Sequence, residues 1–542
     1  MAVRQGLALA LLLAVLGSAA ALASAAGPEP PLEALARRLA DPASQRRALA
    51  EAAEVSDPGL ATLLRALKEG GLYRYRGRPV LLAADGSLTD LVGRPVLEGD
   101  RPAELPPGAE AVALDESLFG TVETLLRRLE IFSPEVAARR AAAFRLGTSG
   151  DPAAVSWLER ALAGETDAGV RAVLTEGLAR LRLASPDPAE RRAAVRALAA
   201  GRSEAARPAL AAAAERDADP EVRAEAARAV QAIDAFLFRR NALGYLFNGV
   251  SLAAVLLVMS LGLSVTFGLM GIINMAHGEM LMIGSYTAYV LQNVFAARWP
   301  AHQDYFFVAA LPLAFLVAGL VGLALEGALV RFLYRRPLET LIVTWGVGLI
   351  LQQSARLTFG DQTSVSPPTW FRGGWEVLPG LILPWSRLFI VALAVASLGA
   401  LALLFYRTGA GLRIRAVMQN RAMAAALGVS TRRVDALTFA LGTALAGVAG
   451  CALSLIGTVD PEVGKTYIVD SFMVVVLGGV GQLAGTVAAS FAIGLSNKLL
   501  EPAIGGTAAA IYAKVAILGL VIAALQWRPT GLFAARGRTA TT

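Results

Sequence analysis

The chain has 542 residues, 55% hydrophobic and only 17% charged, with a formal net charge of +7. That balance is the one expected of a polytopic membrane protein with a soluble part attached, and the positive charge needs no nucleic acid partner, because arginines in short loops between apolar runs encode membrane orientation. One cysteine, Cys451, excludes an intrachain disulfide and a thiolate metal cluster, and two histidines, His277 and His302, leave little for a zinc site, so no cofactor is expected.

Residues 1–26 read as a secretory signal. Arg4 supplies a positive start, residues 6–16 an apolar core, and Ala23-Ser24-Ala25 the small-residue cleavage pattern. The core is short for a span of about 20 residues, so cleavage is expected over a retained anchor.

Residues 27–240 are soluble in character, with Ala, Arg, Leu and Glu at helical spacing. A phrase recurs: PEVAARRAAA from Pro134, AGVRAVLTEGL from Ala168, DPAERRAAVRAL from Asp187 and DPEVRAEAARAV from Asp219. Asp-Pro at a helix start fits an N-cap followed by proline in the first turn. Units of roughly 30 residues that bury an Ala/Leu face only by stacking predict a HEAT-like repeat domain, with a scaffold or docking role. Between Leu72 and Val112 the helical pattern breaks, and an Asp85-Gly86 turn predicts a small β-hairpin insertion.

From Asn241 to residue 533 the chain is membrane. Uncharged runs at 241–278, 305–325, 340–355, 388–406, 436–459, 471–497 and 515–527 predict about 8–9 crossings. Within the first run and just after it, Asn274, His277 and Glu279 sit where a membrane segment turns. Such groups face a cavity or partner, or close a tight turn between ordinary helices. The run 471–497 is interrupted by GGVGQLAG, as in a broken or re-entrant pair whose backbone at Gly478 and Gly479 lines a cavity.

Arginines fix the orientation. Arg331, Arg335 and Arg336, the cluster from Arg407 to Arg433, and Arg528, Arg536 and Arg538 mark cytoplasmic sides. That parity places residues 27–240 outside and the tail, 534–542, inside, although Arg239 and Arg240 pull mildly the other way. In the loop 406–436 a short helix is expected over 413–427, with Gly428 as its C-cap and Ser430 as the next N-cap. It either lies on lipid headgroups or docks into a partner's groove, and its glycine brackets favour docking. Met423 and Leu427 would share its docking face, while Arg413, Arg415 and Arg421 would meet acidic rims.

Two apparent motifs fail. The stretch GTVDPEVGKT from Gly457 has Val459 where a phosphate-binding loop needs its first glycine, and His277-Gly278-Glu279 is not the zinc-protease pattern. Nothing else supports enzymatic chemistry.

Four stretches together resemble the permeases of branched-chain amino acid type ABC importers. They are GLSVTFGLMGIINMAHGEMLMIGSY (262–286), AAALGVSTRRVDALTFALGTALAGVAG (424–450), VVVLGGVGQLAGT (474–486) and RPTGLF (528–533). Within that family, TWGVGLILQQSARLTFG (344–360), YIVDSFMVVVLGG (467–479) and the signal-bearing extension look like the urea permease branch. The resemblance implies an all-α fold and a multi-pass inner-membrane location. It also implies an import complex with a second homologous permease, two cytoplasmic ATPases and a periplasmic solute-binding protein. Urea is neutral and offers one acceptor and four donors, and Asn274, Glu279, Thr344, Trp345, Gln352 and Gln353 fit it by type. An importer of branched-chain amino acids or short amides, and a membrane-anchored sensor or scaffold, stand as alternatives.

Overall fold

A computed structural model of the chain describes residues 31–52, 59–83, 86–91, 93–98, 101–106, 111–334 and 336–533. The expected signal at 1–26, the tail at 534–542, Asp85 and Arg335 lie outside them. Two compact units divide between Leu237 and Phe238.

The N-terminal unit opens with α1 (Pro31–Leu39), α2 (Gln45–Ala52) and α3 (Gly59–Glu69). A three-stranded antiparallel sheet follows, β1 (Leu72–Tyr75), β2 (Arg78–Leu82) and β3 (Leu88–Thr89), then the pair β4 (Leu97–Glu98) and β5 (Arg101–Pro102). The insertion has a tight turn at Arg76-Gly77, which the sequence did not announce. Tyr75 pairs with Arg78, and the two residues between them have φ of 49° and 77°, as a two-residue hairpin turn demands. Gly86 lies in a second turn, the one expected, where its amide donates to the Ala83 carbonyl at 3.0 Å and Leu82 of β2 pairs with Leu88 of β3.

The repeats are α4 (Phe119–Leu129), α5 (Val136–Thr148), α6 (Ala154–Gly164), α7 (Ala168–Arg182), α8 (Pro188–Gly201), α9 (Arg207–Arg216) and the start of α10 (Pro220–Met270). Their starts are local chemistry. Asp167 accepts from the Val170 amide and Asp187 from the Ala189 amide, each at 2.9 Å, with Pro188 in the first turn of α8. Buried Leu, Ala and Val on the inner faces form the core, including Leu146, Leu158 and Leu174.

A staple that the sequence reading missed recurs across the array. Arg139 bonds both oxygens of Glu165, at 2.8 and 3.0 Å, while its Nη1 donates to the carbonyls of Ser133 and Pro134. Arg191 repeats this with Asp217, Ser185 and Pro186. The legible signal is Ser-Pro followed by arginine five residues after the proline.

The membrane unit begins in α10 and continues with α11 (His277–Arg298), α12 (Phe306–Ala328) and α13 (Pro337–Phe359). A hairpin of β6 (Gly374–Leu378) and β7 (Leu381–Pro384) leads to α14 (Trp385–Arg407). Then come α15 (Gly409–Gln419), α16 (Arg421–Ala426), α17 (Thr431–Leu453), α18 (Val463–Gly478), α19 (Leu483–Ile504) and α20 (Ala509–Trp527).

Among the described residues, six helical stretches are long and apolar enough to cross a membrane: α10, 300–332 with α12 inside it, α14, α17, α19 and α20. The remaining long helices of the expected 8–9, α11, α13 and α18, fall outside that set. α18 has only 16 residues, and α11 and α13 carry His277, Glu279, Thr344 and Gln352. These three hold the candidate site.

α17 is the packing centre, against which α11 and α12 lie. A methyl group on Gly450 would fall 1.8 Å from the Leu281 carbonyl oxygen, and one on Gly447 would fall 2.4 Å from Cβ of Ala318. Small residues let these backbones touch, which supplies helix association where lipid offers no hydrophobic driving force.

Candidate functional site

α10 ends at Met270, where Gly271 takes φ of +66° and the chain leaves the helix until His277. The imidazole then bonds backwards: His277 Nε2 donates to the Met259 carbonyl at 3.2 Å. Since a carbonyl only accepts, Nε2 carries the proton. At about 1.5 Å per residue, Met259 lies roughly 16 Å before the end of α10, so residues 271–276 run back alongside that helix. α11 therefore starts inside the unit rather than at its edge.

Its first turn meets two neighbours. A methyl on Gly278 would fall 2.8 Å from the Gly464 carbonyl oxygen, so the starts of α11 and α18 lie side by side. Cγ of Glu279 lies 3.4 Å from the position a methyl would take on Gly348 of α13. Gln352 Nε2 donates to Glu279 Oε1 at 2.7 Å, and Thr344 Oγ1 accepts from the Met275 amide at 3.1 Å. Asn274, His277, Glu279, Thr344 and Gln352 are all buried. Both polar atoms of Asn274, Nδ1 of His277 and Oε2 of Glu279 are buried without a hydrogen-bond partner, as are the hydroxyls of Ser251 and Ser260 on α10. Orphaned buried polar groups mark a place for a solute or water.

Of the residues singled out from sequence, Trp345 and Gln353 do not join the cluster; both are exposed. Thr344, Gly348 and Gln352 recur every four positions and share one helix face, whereas the residues following Thr344 and Gln352 are turned by about 100°. Gly464 and Gly348 are site residues that sequence reading missed, since a glycine flush against a neighbour carries no local signature.

The second break, 479–482 between α18 and α19, has φ of +99° at Gly479 and +76° at Gly481. Gly478 packs on Gly485, and Gly481 on Gly268. Gly479 was expected to face a cavity. It is covered by the end of the RPTGLF stretch: a methyl there would fall 2.2 Å from the Phe533 carbonyl oxygen, and the Leu532 amide donates to the Leu477 carbonyl at 2.7 Å.

The loop expected to hold one helix over 413–427 holds two, α15 and α16. Asn420 interrupts them in an extended conformation, and its side chain caps α16 by accepting from the Met423 amide at 2.9 Å. Gly428, at φ +83°, ends α16 as expected, with the Val429 amide on the Ala424 carbonyl and the Gly428 amide on the Ala425 carbonyl. Ser430 precedes α17 without a side-chain cap bond. Met423 and Leu427 are exposed, at 58% and 78%, as a docking face requires. Arg413 is exposed, and Arg415 stacks over Tyr406. Arg421 turns inward to Asp435, since a carboxylate buried in the first turns of α17 needs a countercharge.

Interrupted helices around an interior polar cluster define a solute permease. Residues 245–525 match the family described as branched-chain amino acid transport system / permease component, and the chain belongs to that family. Residues 175–235 match HEAT repeats. The chain is 31% identical over 300 residues to the high-affinity branched-chain amino acid transport system permease protein LivH of Escherichia coli, covering 53% of this chain and 94% of that one. It is 28% identical over 296 residues to the corresponding protein BraD of Pseudomonas aeruginosa, again 53% and 94%. With a probable branched-chain amino acid permease protein, LivH, of Methanocaldococcus jannaschii, identity is 27% over 285 residues, 51% and 88%. No solved structure matches at comparable significance. None of these three relatives is named for urea.

Proposed function

We propose that the chain is the membrane-spanning subunit of an ABC importer for branched-chain amino acids, working with a second permease, two cytoplasmic ATPases and a periplasmic solute-binding protein. One observation carries the substrate class: two helix starts, α11 and α18, meet beside a buried carboxylate, Glu279, that has an unpartnered oxygen. A helix start favours a carboxylate and Glu279 an ammonium, so the pair matches the two charges of an amino acid. The names of the relatives support the same reading. The energy source lies outside the chain, whose sequence has no nucleotide loop of the required spacing.

Urea is the second reading. The cluster offers the amides of Asn274 and Gln352, the Thr344 hydroxyl and the Glu279 carboxylate, which suit a neutral molecule with four donors. Uptake of labelled leucine and of labelled urea, in cells with and without the gene, decides between them. Gene-dependent leucine uptake is expected; gene-dependent urea uptake with unchanged leucine uptake overturns the amino acid reading.

A further inference from the structure

We infer that the Arg421–Asp435 ion pair is the joint that fastens the cytoplasmic helix α16 to the transmembrane helices and passes its displacement to the interior site, an inference that rests on reading α16 as the ATPase-docking element.

Asp435 is 1% exposed, and both its oxygens are taken by Arg421, Nη1 to Oδ1 at 3.1 Å and Nη2 to Oδ2. The same guanidinium lies 4.8 Å from the ring centre of Tyr334, in the link between α12 and α13. One side chain at the start of α16 thus grips the helix that centres the bundle and the approach to the helix that carries Thr344 and Gln352. A bidentate, ring-stacked arginine is held in both direction and distance, which a lysine at the same place would not be.

The connection continues inward. Phe439 lies four residues after Asp435, one turn along the same face of α17, and is fully buried. It shares one buried apolar cluster with Val330 and Ile272. Ile272 belongs to the unwound segment 271–276, two residues before Asn274. A push on the exposed face of Met423 and Leu427 therefore has an unbroken packed route through Arg421, Asp435, Phe439 and Ile272 to the candidate site. Such a route is a physical warrant for coupling only if breaking one contact uncouples the ends.

The test uses the whole importer, the chain co-expressed with its ATPases, in vesicles supplied with whichever of labelled leucine or urea the intact complex imports. Asp435→Asn, Arg421→Gln and the double variant are compared for ATPase co-purification and for ATP hydrolysed per molecule imported. The ATPase is expected to remain bound in all three, because Met423 and Leu427 are untouched, while ATP consumed per molecule rises several-fold. The double variant should be no worse than either single, since both remove one contact. Arg421→Lys, which keeps a charge beside Asp435, should give an intermediate ratio, and it decides the matter if the other variants fail to accumulate. An unchanged ratio overturns the joint, as does additive loss in the double variant. Loss of the ATPase from the single variants also overturns it, because the pair would then only shape the docking surface. Retention of the ATPase by Leu427→Arg sinks the docking reading instead, a separate result.

Discussion

The side-chain amide of Gln352 donates to Oε1 of Glu279 at 2.7 Å, joining α13 to the first turn of α11, while Oε2 of the same carboxylate has no partner. A buried carboxylate with half its bonding capacity free is held in place by one oxygen and presented by the other. Replacing the donor, Gln352→Leu, should leave Glu279 misplaced and lower uptake. A hydrogen bond to a charged group contributes about 1.5–3 kcal/mol, so about a tenfold loss or more is expected at unchanged membrane level. Gln353→Leu, one residue away on the exposed side, should transport normally. Equal loss in both variants would refute the facing assigned to α13.

The crossing of α11 and α17 depends on having no side chain at Gly450. Gly450→Ala should force the helices apart and cost about 1–3 kcal/mol, the usual range for overpacking. Gly399→Ala in α14, where a methyl meets nothing within 4 Å, is the matched control and should be neutral or slightly stabilising. Thermal unfolding of the purified protein in detergent checks both. A control as damaging as Gly450→Ala would show that the contact is not the cause.

Leu427 is 78% exposed at the end of α16. Leu427→Arg places a charge on the apolar docking face and adds to the positive cytoplasmic bias, so insertion should be normal. Co-purification of the ATPase and uptake should both be lost.

In the repeat unit, the hydrogen bonds from Arg139 hold the Glu165 carboxyl down to about 2 from an ordinary 4.5, and those from Arg191 lower that of Asp217. A carboxyl depressed in the folded state stabilises the fold fully above its unfolded pKa and loses that contribution as pH falls through the folded one. Loosening of α5–α9 should therefore begin below about pH 4.5 and be complete near pH 2. Amide hydrogen exchange on the full chain at stepped pH measures it. In Arg139→Ala the exchange near Glu165 should already be fast at neutral pH; protection unchanged there would discount the staple.

Charge parity of the later loops, with the expected signal ahead, predicts that residues 27–240 lie outside. A reporter active only in the cytoplasm and fused after Ala184, between α7 and α8, should be silent. Strong activity would reverse the orientation of every crossing.

Much of the architecture is legible from short-range rules, because the forces behind it act within a few residues. Asp187-Pro188 announces a helix start through one side-chain bond and one fixed φ, and Gly428 announces an end because it adopts a left-handed conformation at little cost. Uncharged runs mark crossings because a charge in lipid is expensive wherever the helix goes. The polar cluster at Asn274, His277 and Glu279 stands out for the same reason. What lies across a gap of sequence is decided only by packing. Trp345 and Gln353 are as suited to a solute by type as Thr344 and Gln352, but the close approach of Gly348 to Glu279 selects which face of α13 turns inward. Arg421 looks like a surface cation until Asp435, fourteen residues on, is buried beneath it, and Gly479 looks like a cavity wall until the backbone of Phe533 covers it. Sequence by itself determined most of the helices and many of their ends, though not the break at Asn420; the tertiary structure alone decided their facing, because facing depends on contacts between residues that no local rule relates.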